Sequence, residues 1–415
     1  MSILSGDGIH ADLSYVRQYT RLVQRSIETD EAAFPLHGTY DDAFRGVVDA
    51  FIENYRVEDE VGSAVSVVVD GESVVDVWGG WTDRTREREW ERDTIVCMMS
   101  VAKGITAIAF NQLLDRGIVE LDAPVAEYWP EFAQNGKDRV LIRHLLDHTA
   151  GIPVLTNDTL WPGAVNDRDA MVGALEKQEP LWEPGTVAAY HVHNQGWLLG
   201  EVMKRTTGKL VGPWLRDEVT DPLGADYWIG LPESEFDRVA RLMPSDGLRL
   251  MNSKDSERPE DALRKQAFAQ NPEGPWEDWV NSTAFRTTEL PSGSGHGNAR
   301  SVARIYAAVA SGELDGVRLL SEDAIDRMTT LQHYQYEKLQ DRHYRQGLGV
   351  LLNSPDAVYM GPHEAAFGHH GIGGSIGFAD RAERLGFGYS INKMHAVGTN
   401  GPRAARLIDA TFASL

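Results

Sequence analysis

Cys97-Met98-Met99-Ser100-Val101-Ala102-Lys103-Gly104-Ile105-Thr106 is the stretch on which the reading of this chain turns. A short apolar run ends at a serine, and a lysine follows three places later at the head of a nearly all-apolar segment. From Val101 to Leu114 the apolar positions (Val101, Ala102, Ile105, Ala107, Ile108, Ala109, Phe110, Leu113, Leu114) cover most of a helical circumference. That pattern predicts a helix buried on all sides. An ammonium is rarely buried without a partner, so Lys103 in the first turn calls for a chemical reason. Positions i and i+3 share a helix face, which brings the Ser100 hydroxyl and the Lys103 amine together. The helix N-terminus adds free N–H groups and partial positive charge, suited to a serine that becomes an alkoxide and then an acyl-ester. A serine hydroxyl is a weak nucleophile until a base takes its proton. Desolvation lowers a lysine pKa from its usual value of about 10.4, and a buried helix supplies it. An N-cap serine beside a snorkelling lysine has the same spacing, so the motif alone leaves both readings open.

Two other serines compete. Ser390-Ile391-Asn392-Lys393 repeats the spacing, but it ends the run Leu385-Gly386-Phe387-Gly388-Tyr389, which reads as a strand. On a strand, i and i+3 face opposite ways and cannot cooperate. Gly373-Gly374-Ser375-Ile376-Gly377 matches the Gly-x-Ser-x-Gly elbow, which requires a strand-to-helix turn with Asp and then His downstream. Here Gly377-Phe378-Ala379 continues as strand, and only His395 follows. His144 and His148 are spaced for zinc, without the intervening glutamate or a third ligand. We expect a helix end packed on a loop there. His191-x-His193 and His369-His370 are likewise read as non-ligands, and the glycines from Gly371 to Gly377 lack the Lys-Ser/Thr ending of a phosphate cradle. No metal and no cofactor is expected.

The 415 residues, 42% hydrophobic, suffice for a large core. A formal net charge of -22 argues against nucleic acid or an anionic membrane as partner. Cys97 is the only cysteine, which excludes an intrachain disulfide and a thiolate metal cluster. No basic region followed by an apolar core opens the chain and no run approaches a membrane span, so a cytoplasmic location is expected. Oligomeric state is not legible.

Residues 1–40 are polar and are expected to drape over the surface as an extension. Asp41 to Asn54 predicts an amphipathic helix. Ser63–Val69 and Ser73–Trp78 predict strands joined by an Asp70-Gly71 hairpin turn. Residues 121–280 read mainly as helix and loop, including a helix near Ile142–His148 and others over Gly196–Thr207 and Gly212–Val219. Ser245–Ser294, with Trp276 and Trp279, reads as an excursion towards the mouth of the site. Strand signals return at Gly347–Leu352, Ser375–Ala379 and Gly386–Ile391, and a helix is predicted over Pro402–Ala413. Strands at both ends around a helical middle predict one antiparallel sheet built from 41–120 and 281–415, flanked by helices, with a mainly helical domain inserted over 121–280. The fold class is therefore α+β.

Four segments in order resemble the penicillin-recognising serine enzymes, and in particular the family VIII carboxylesterases built on the class C β-lactamase fold. They are Ser100-x-x-Lys103, then Leu145-Leu146-Asp147-His148-Thr149-Ala150-Gly151, then Trp182-Glu183-Pro184-Gly185-Thr186 leading to Tyr190-His191, and late in the chain Gly368-His369-His370-Gly371. The resemblance spans about residues 45 to 400 and implies a β-lactamase/transpeptidase-like fold. It implies Ser100 as acyl-accepting nucleophile, Lys103 and Tyr190 as base pair, and an oxyanion hole from the Ser100 and Ile372 backbone N–H groups. It also places His369, His370, Gly371 and Trp182 at the substrate. A Tyr190 phenolate beside a protonated lysine is expected. Val192 stands where β-lactamases have Asn, and His369 where they have Lys, so the partners of a β-lactam's amide and carboxylate are missing. That favours a small-molecule ester as substrate, with Met98, Met99 and Trp182 as a compact apolar wall and a protonated His369 as donor at mildly acidic pH. Acyl transfer from the same acyl-enzyme is the alternative, followed by β-lactamase or D-peptidase activity and last by a silent binding protein.

Overall fold

The computed structural model describes residues 24–26, 32–156, 160–245, 259–396 and 399–415. Most of the expected polar extension and part of the Ser245–Ser294 excursion lie outside them.

Thirteen strands are described. They are β1 (Gln24–Ser26), β2 (Leu36–Asp41), β3 (Gly62–Val69), β4 (Glu72–Gly80), β5 (Val96–Cys97), β6 (Tyr227–Ile229), β7 (Gly295–Gly297), β8 (His333–Glu337), β9 (Arg342–Gln346), β10 (Leu351–Leu352), β11 (Phe367–His370), β12 (Ile376–Asp380) and β13 (Leu385–Ile391). Ten form one antiparallel sheet in the order β1-β2-β4-β3-β13-β12-β11-β10-β9-β8. β5, β7 and β6 form a small second sheet. The α+β expectation holds, and the sheet joins both ends of the chain through the β3–β13 pairing. The β3–β4 hairpin turns at Asp70 and Gly71, whose φ of 50° and 84° are the left-handed values that such two-residue turns need.

Two readings of the chain are corrected. Residues 24–26 and 36–40 are sheet rather than surface extension, because Leu36 and Tyr40 are buried and β2 pairs along β4. A boundary at residue 281 is also crossed, since β6 pairs with β7 beyond it. The expected strand at Gly347–Leu352 shortens to Leu351–Leu352, and the longer hairpin of β8 and β9 just before it was not foreseen.

A helix over Ala299–Ala310 lies on β12, β13 and β3. It comes close because the strands offer glycine there. A Cβ on Gly386 would stand 2.2 Å from Ala303 O, and one on Gly388 2.1 Å from Ala299 O. The Val101–Asp115 helix runs between β11 and β12 on one side and the Asn194–Thr207 and Val211–Leu215 helices on the other. Val101 to Leu114 are all buried, as the apolar circumference predicts. Among the described residues, no helix is long and apolar enough to cross a membrane.

β11 leads into Gly371, which passes against the loop before Ser100. A Cβ there would sit 2.2 Å from Met98 O, a backbone atom that cannot swing aside. Gly371→Ala is therefore expected to push that loop and lower kcat on an activated ester by about tenfold or more, since ångström-scale misplacement of reacting groups is costly. Its melting temperature should fall by only a few degrees. Steady-state kinetics beside a thermal melt checks this; an unchanged kcat would show that the contact does not position the serine.

Candidate active site

Met99 takes a φ of 50°, left-handed for a residue with a side chain, and this turn delivers Ser100 to the start of the helix. Ser100 sits at the N-cap position, yet its side chain makes no capping hydrogen bond. The hydroxyl is left for other work, and the capping interpretation is set aside.

Lys103 lies one turn on and is 2% exposed. Its Nζ donates to the carbonyls of Val192 and Ser292, each at 2.8 Å, and lies 3.5 Å from Ser100 Oγ. The same nitrogen stands 4.6 Å from the centre of the Tyr190 ring. No ion pair offsets its burial among the described residues, and desolvation pushes its pKa well below the ordinary lysine value.

Tyr190 is buried in an extended segment before the Asn194–Thr207 helix. Its backbone N–H is held by Glu337, which also accepts the N–H groups of Leu339 (2.9 Å) and Gln340. The β8–β9 turn is thus stapled to the tyrosine. Burial raises the phenol pKa above its usual value, against a hydrogen bond with Ser100 that lowers it. Both directions favour a neutral amine beside a neutral phenol over the expected ammonium–phenolate pair.

The backbone N–H groups of Ser100 and Ile372 have no acceptor among the described residues, and both residues line a cavity of about 460 Å³. Met99, Val192, His369, His370 and the indoles of Trp276 and Trp279 line it too. Trp182, Gly371 and Met98 do not. Trp182 packs on the small cluster that contains Val154, Ala189 and Tyr190, and Met98 is wholly buried.

Desolvation, chiefly, pushes His369 well below the ordinary histidine pKa and takes His370 to about 4. Burial thus disfavours the protonated His369 that an acid-activated donor would need. The ring Nδ1 of His369 lies 2.7 Å from His370 O. Its Nε2 is buried with no hydrogen-bond partner among the described residues.

His148 was read as helix-end packing, and the structure brings it to the cavity. Its φ is 64°, its ring lies 4.8 Å from that of Tyr190, and its Nδ1 accepts the His191 N–H at 3.2 Å. The neutral ring then carries its proton on Nε2. Val192 also had a hidden role. The sequence draws attention to its side chain, but its carbonyl is what holds Lys103.

The rival serines behave as their strand context predicts. Ser375 Oγ accepts the Ile391 N–H at 3.3 Å as β12 begins, and Ser390 lies within β13. Lys393 turns to Asp59 at 3.3 Å. His144 Nδ1 accepts the Leu141 N–H. Among the described residues, no group of three His, Cys, Asp or Glu side chains is placed to hold a metal.

Comparison with known proteins agrees with this geometry. Residues 48–411 match the beta-lactamase family. The esterase/beta-lactamase LipL of Mycobacterium tuberculosis is 32% identical over 88% of this chain and 84% of its own length. The esterase EstB of Burkholderia gladioli is 27% identical over 88% of this chain and 94% of its own. The crystal structure of a family VIII carboxylesterase superposes with a TM-score of 0.84 at 38% identity, covering 92% of this chain and all of that one. The chain thus belongs to the beta-lactamase family, as a serine hydrolase of the kind that the family VIII carboxylesterases exemplify.

Proposed function

We propose that this chain hydrolyses short-chain carboxylic esters through an acyl-enzyme on Ser100, with Lys103 and Tyr190 as the proton-handling pair. The observation that carries this reading is the position of Lys103 Nζ between two carbonyls and the serine. A neutral amine has two N–H bonds and one lone pair. With the N–H bonds given to Val192 O and Ser292 O, the lone pair is left to face Ser100 Oγ. As Oγ attacks the ester carbonyl, its proton passes to that lone pair, directly or by way of the Tyr190 hydroxyl. The negative charge that develops on the carbonyl oxygen is met by the Ser100 and Ile372 N–H groups. Collapse breaks the C–O bond, the departing alkoxide takes the proton, and water repeats the sequence in reverse to free the acid and Ser100.

Ester over β-lactam follows from what the cavity lacks. At the two motif positions that resemble those of the β-lactamases, Val192 supplies no side-chain amide and His369 no lysine ammonium, so the amide and carboxylate of a β-lactam seated there lose their usual partners. Each unmatched polar contact in a dry site costs about 1–3 kcal/mol, so two amount to roughly 10² to 10⁴ in relative specificity. The name of EstB, an esterase, supports the same side, while that of LipL carries both activities.

Ser100→Ala is expected to abolish turnover of p-nitrophenyl acetate, while Ser375→Ala leaves a folded, active enzyme. Loss at Ser375 alone would move the nucleophile.

Lys103→Ala and Tyr190→Phe should each lower kcat by about 10² or more, and the double variant should be little worse than the worse single. Losses that multiply would mean independent roles. Because burial depresses the Lys103 pKa, the neutral base exists above that depressed value and is lost as pH falls through it. The acid limb of kcat/KM should accordingly lie well below the ordinary lysine range, as a pH–rate profile will read.

Across p-nitrophenyl acetate, butyrate and decanoate beside nitrocefin, the short esters should lead and nitrocefin should be slow at neutral and mildly acidic pH alike. Nitrocefin turned over as efficiently as the best ester would restore the β-lactamase reading.

A further inference from the structure

The wall of the cavity opposite the apolar side is the β8–β9 hairpin, and its inward face is polar. Alternate residues of β9 (Arg342, Tyr344 and Gln346) line the cavity, as the period of two along a strand requires. A cation on an inward strand position is unusual for a protein interior, so its partners need accounting for.

The hairpin and its surroundings bring four charged groups to the cavity: Arg264, Glu337, Asp341 and Arg342. Glu337 is buried and taken up by three backbone N–H groups. Asp341 is exposed and accepts the hydroxyl of Tyr336, which lies on the outer side of β8. Arg264 gives its Nε to Leu339 O at 2.7 Å. Arg342 differs from these. It is half-buried, its Nε donates to Gln340 O at 3.1 Å, and its side chain hydrogen-bonds Tyr344. Among the described residues it forms no ion pair with a carboxylate, whereas its neighbour Arg345 pairs with Glu364 at 2.6 Å. A guanidinium has five N–H donors in a planar fork suited to a carboxylate, and the contacts named here leave part of that fork unused.

Around it, burial disfavours the charged forms of His148, His193, His369 and His370, while Arg264 is engaged by Leu339 O and His333 Nε2 lies 2.9 Å from Asp147 O. Lys103 gives its Nζ to two carbonyls. Arg342 is therefore, with Arg264, one of two guanidiniums on the cavity wall, and the contacts named here leave part of its own fork in reserve. We infer that Arg342, with the Tyr344 hydroxyl beside it, is a subsite for a carboxylate carried by the ester, so that the preferred substrates are short esters bearing a free acid group. This rests on the esterase reading and refines it by naming the substrate class.

The free acid can stand on the acyl or on the alcohol portion, and the experiment separates the two. Wild type, Arg342→Gln and Arg342→Lys are assayed by acid release on monomethyl glutarate (acid on the acyl portion) and 3-acetoxypropanoate (acid on the alcohol portion). Methyl pentanoate and propyl acetate are the matched neutral esters. In the wild type at least one acid ester should exceed its neutral match in kcat/KM by tenfold or more. Arg342→Gln should lower that ratio by about 10- to 100-fold, mostly through KM, as expected for a lost hydrogen bond to a charged group. Arg342→Lys, which keeps the charge without the fork, should fall between them. The ratio within each variant corrects for any loss of folded protein. Equal ratios in wild type and Arg342→Gln, or a wild-type preference for both neutral esters, would overturn the assignment. Failure of the wild type on p-nitrophenyl acetate would instead defeat the esterase reading on which it rests.

Discussion

An amine in the protein interior, held by two carbonyl oxygens and beside no carboxylate among the described residues, is the constraint on which the rest of the site depends. Lys103 meets Val192 O and Ser292 O at equal distance. Those carbonyls belong to two chain segments that are remote in sequence, one just after Tyr190 and one at the end of the loop that leads into β7. The lysine therefore acts as a rivet through the nucleophile helix, the tyrosine segment and the loop before β7. Its burial has an energetic cost that only hydrogen bonding offsets, because an unpaired buried polar group is expensive. The arrangement that stabilises the lysine is also the one that orients it towards the serine.

The same dryness governs the neighbours. Burial moves several titratable groups around Ser100 towards their neutral forms, down for Lys103, His148, His369 and His370 and up for Tyr190. Fixed dipoles that are shielded from bulk solvent act more strongly on charge that develops in a transition state, and they need little reorganisation to do so. Glu337 shows the other use of a buried carboxylate. Satisfied by three backbone N–H groups, it is structural, and it ties the polar hairpin to the tyrosine.

Much of this was legible in the sequence. The apolar circumference of Val101–Leu114 fixed the buried helix, and the helix fixed the meeting of Ser100 with Lys103. Tyr190 was legible only through the Pro-Gly segment before it, since a lone tyrosine carries no spacing rule. The β8–β9 hairpin escaped for a physical reason. Strands are found by apolar residues on alternate positions, and here the inward positions are His333, Glu337, Arg342 and Tyr344, because they face a cavity rather than a core. The Ala299–Ala310 helix was missed although its signal was present, with Asn298 capping the Ser301 N–H and Val302, Ile305, Tyr306 and Val309 along one side. Trp182 and Gly371 were misplaced because nearness in sequence to a motif does not give the direction of a side chain or show that one is absent by design. Val192 was read by its side chain when its carbonyl carried the role, and backbone roles leave no mark on residue type.

The pairing of β3 with β13 has a consequence for how the molecule comes into being. Val69 lies opposite Leu385 and Ser63 opposite Ile391, so the centre of the sheet joins stretches from far apart along the chain. Closing so long a loop costs entropy before any contact repays it, and folds rich in such contacts fold slowly. During synthesis β1 to β4 emerge early, and the β3 edge of that group must wait unpaired until β13 arrives. The groove beside β11 that receives the nucleophile loop does not exist before then. The loop that carries Ser100 thus gains its contact with Gly371 only as β11 to β13 dock, and until then the chain holds Ser100, Lys103 and Tyr190 without the Ile372 side of the cavity.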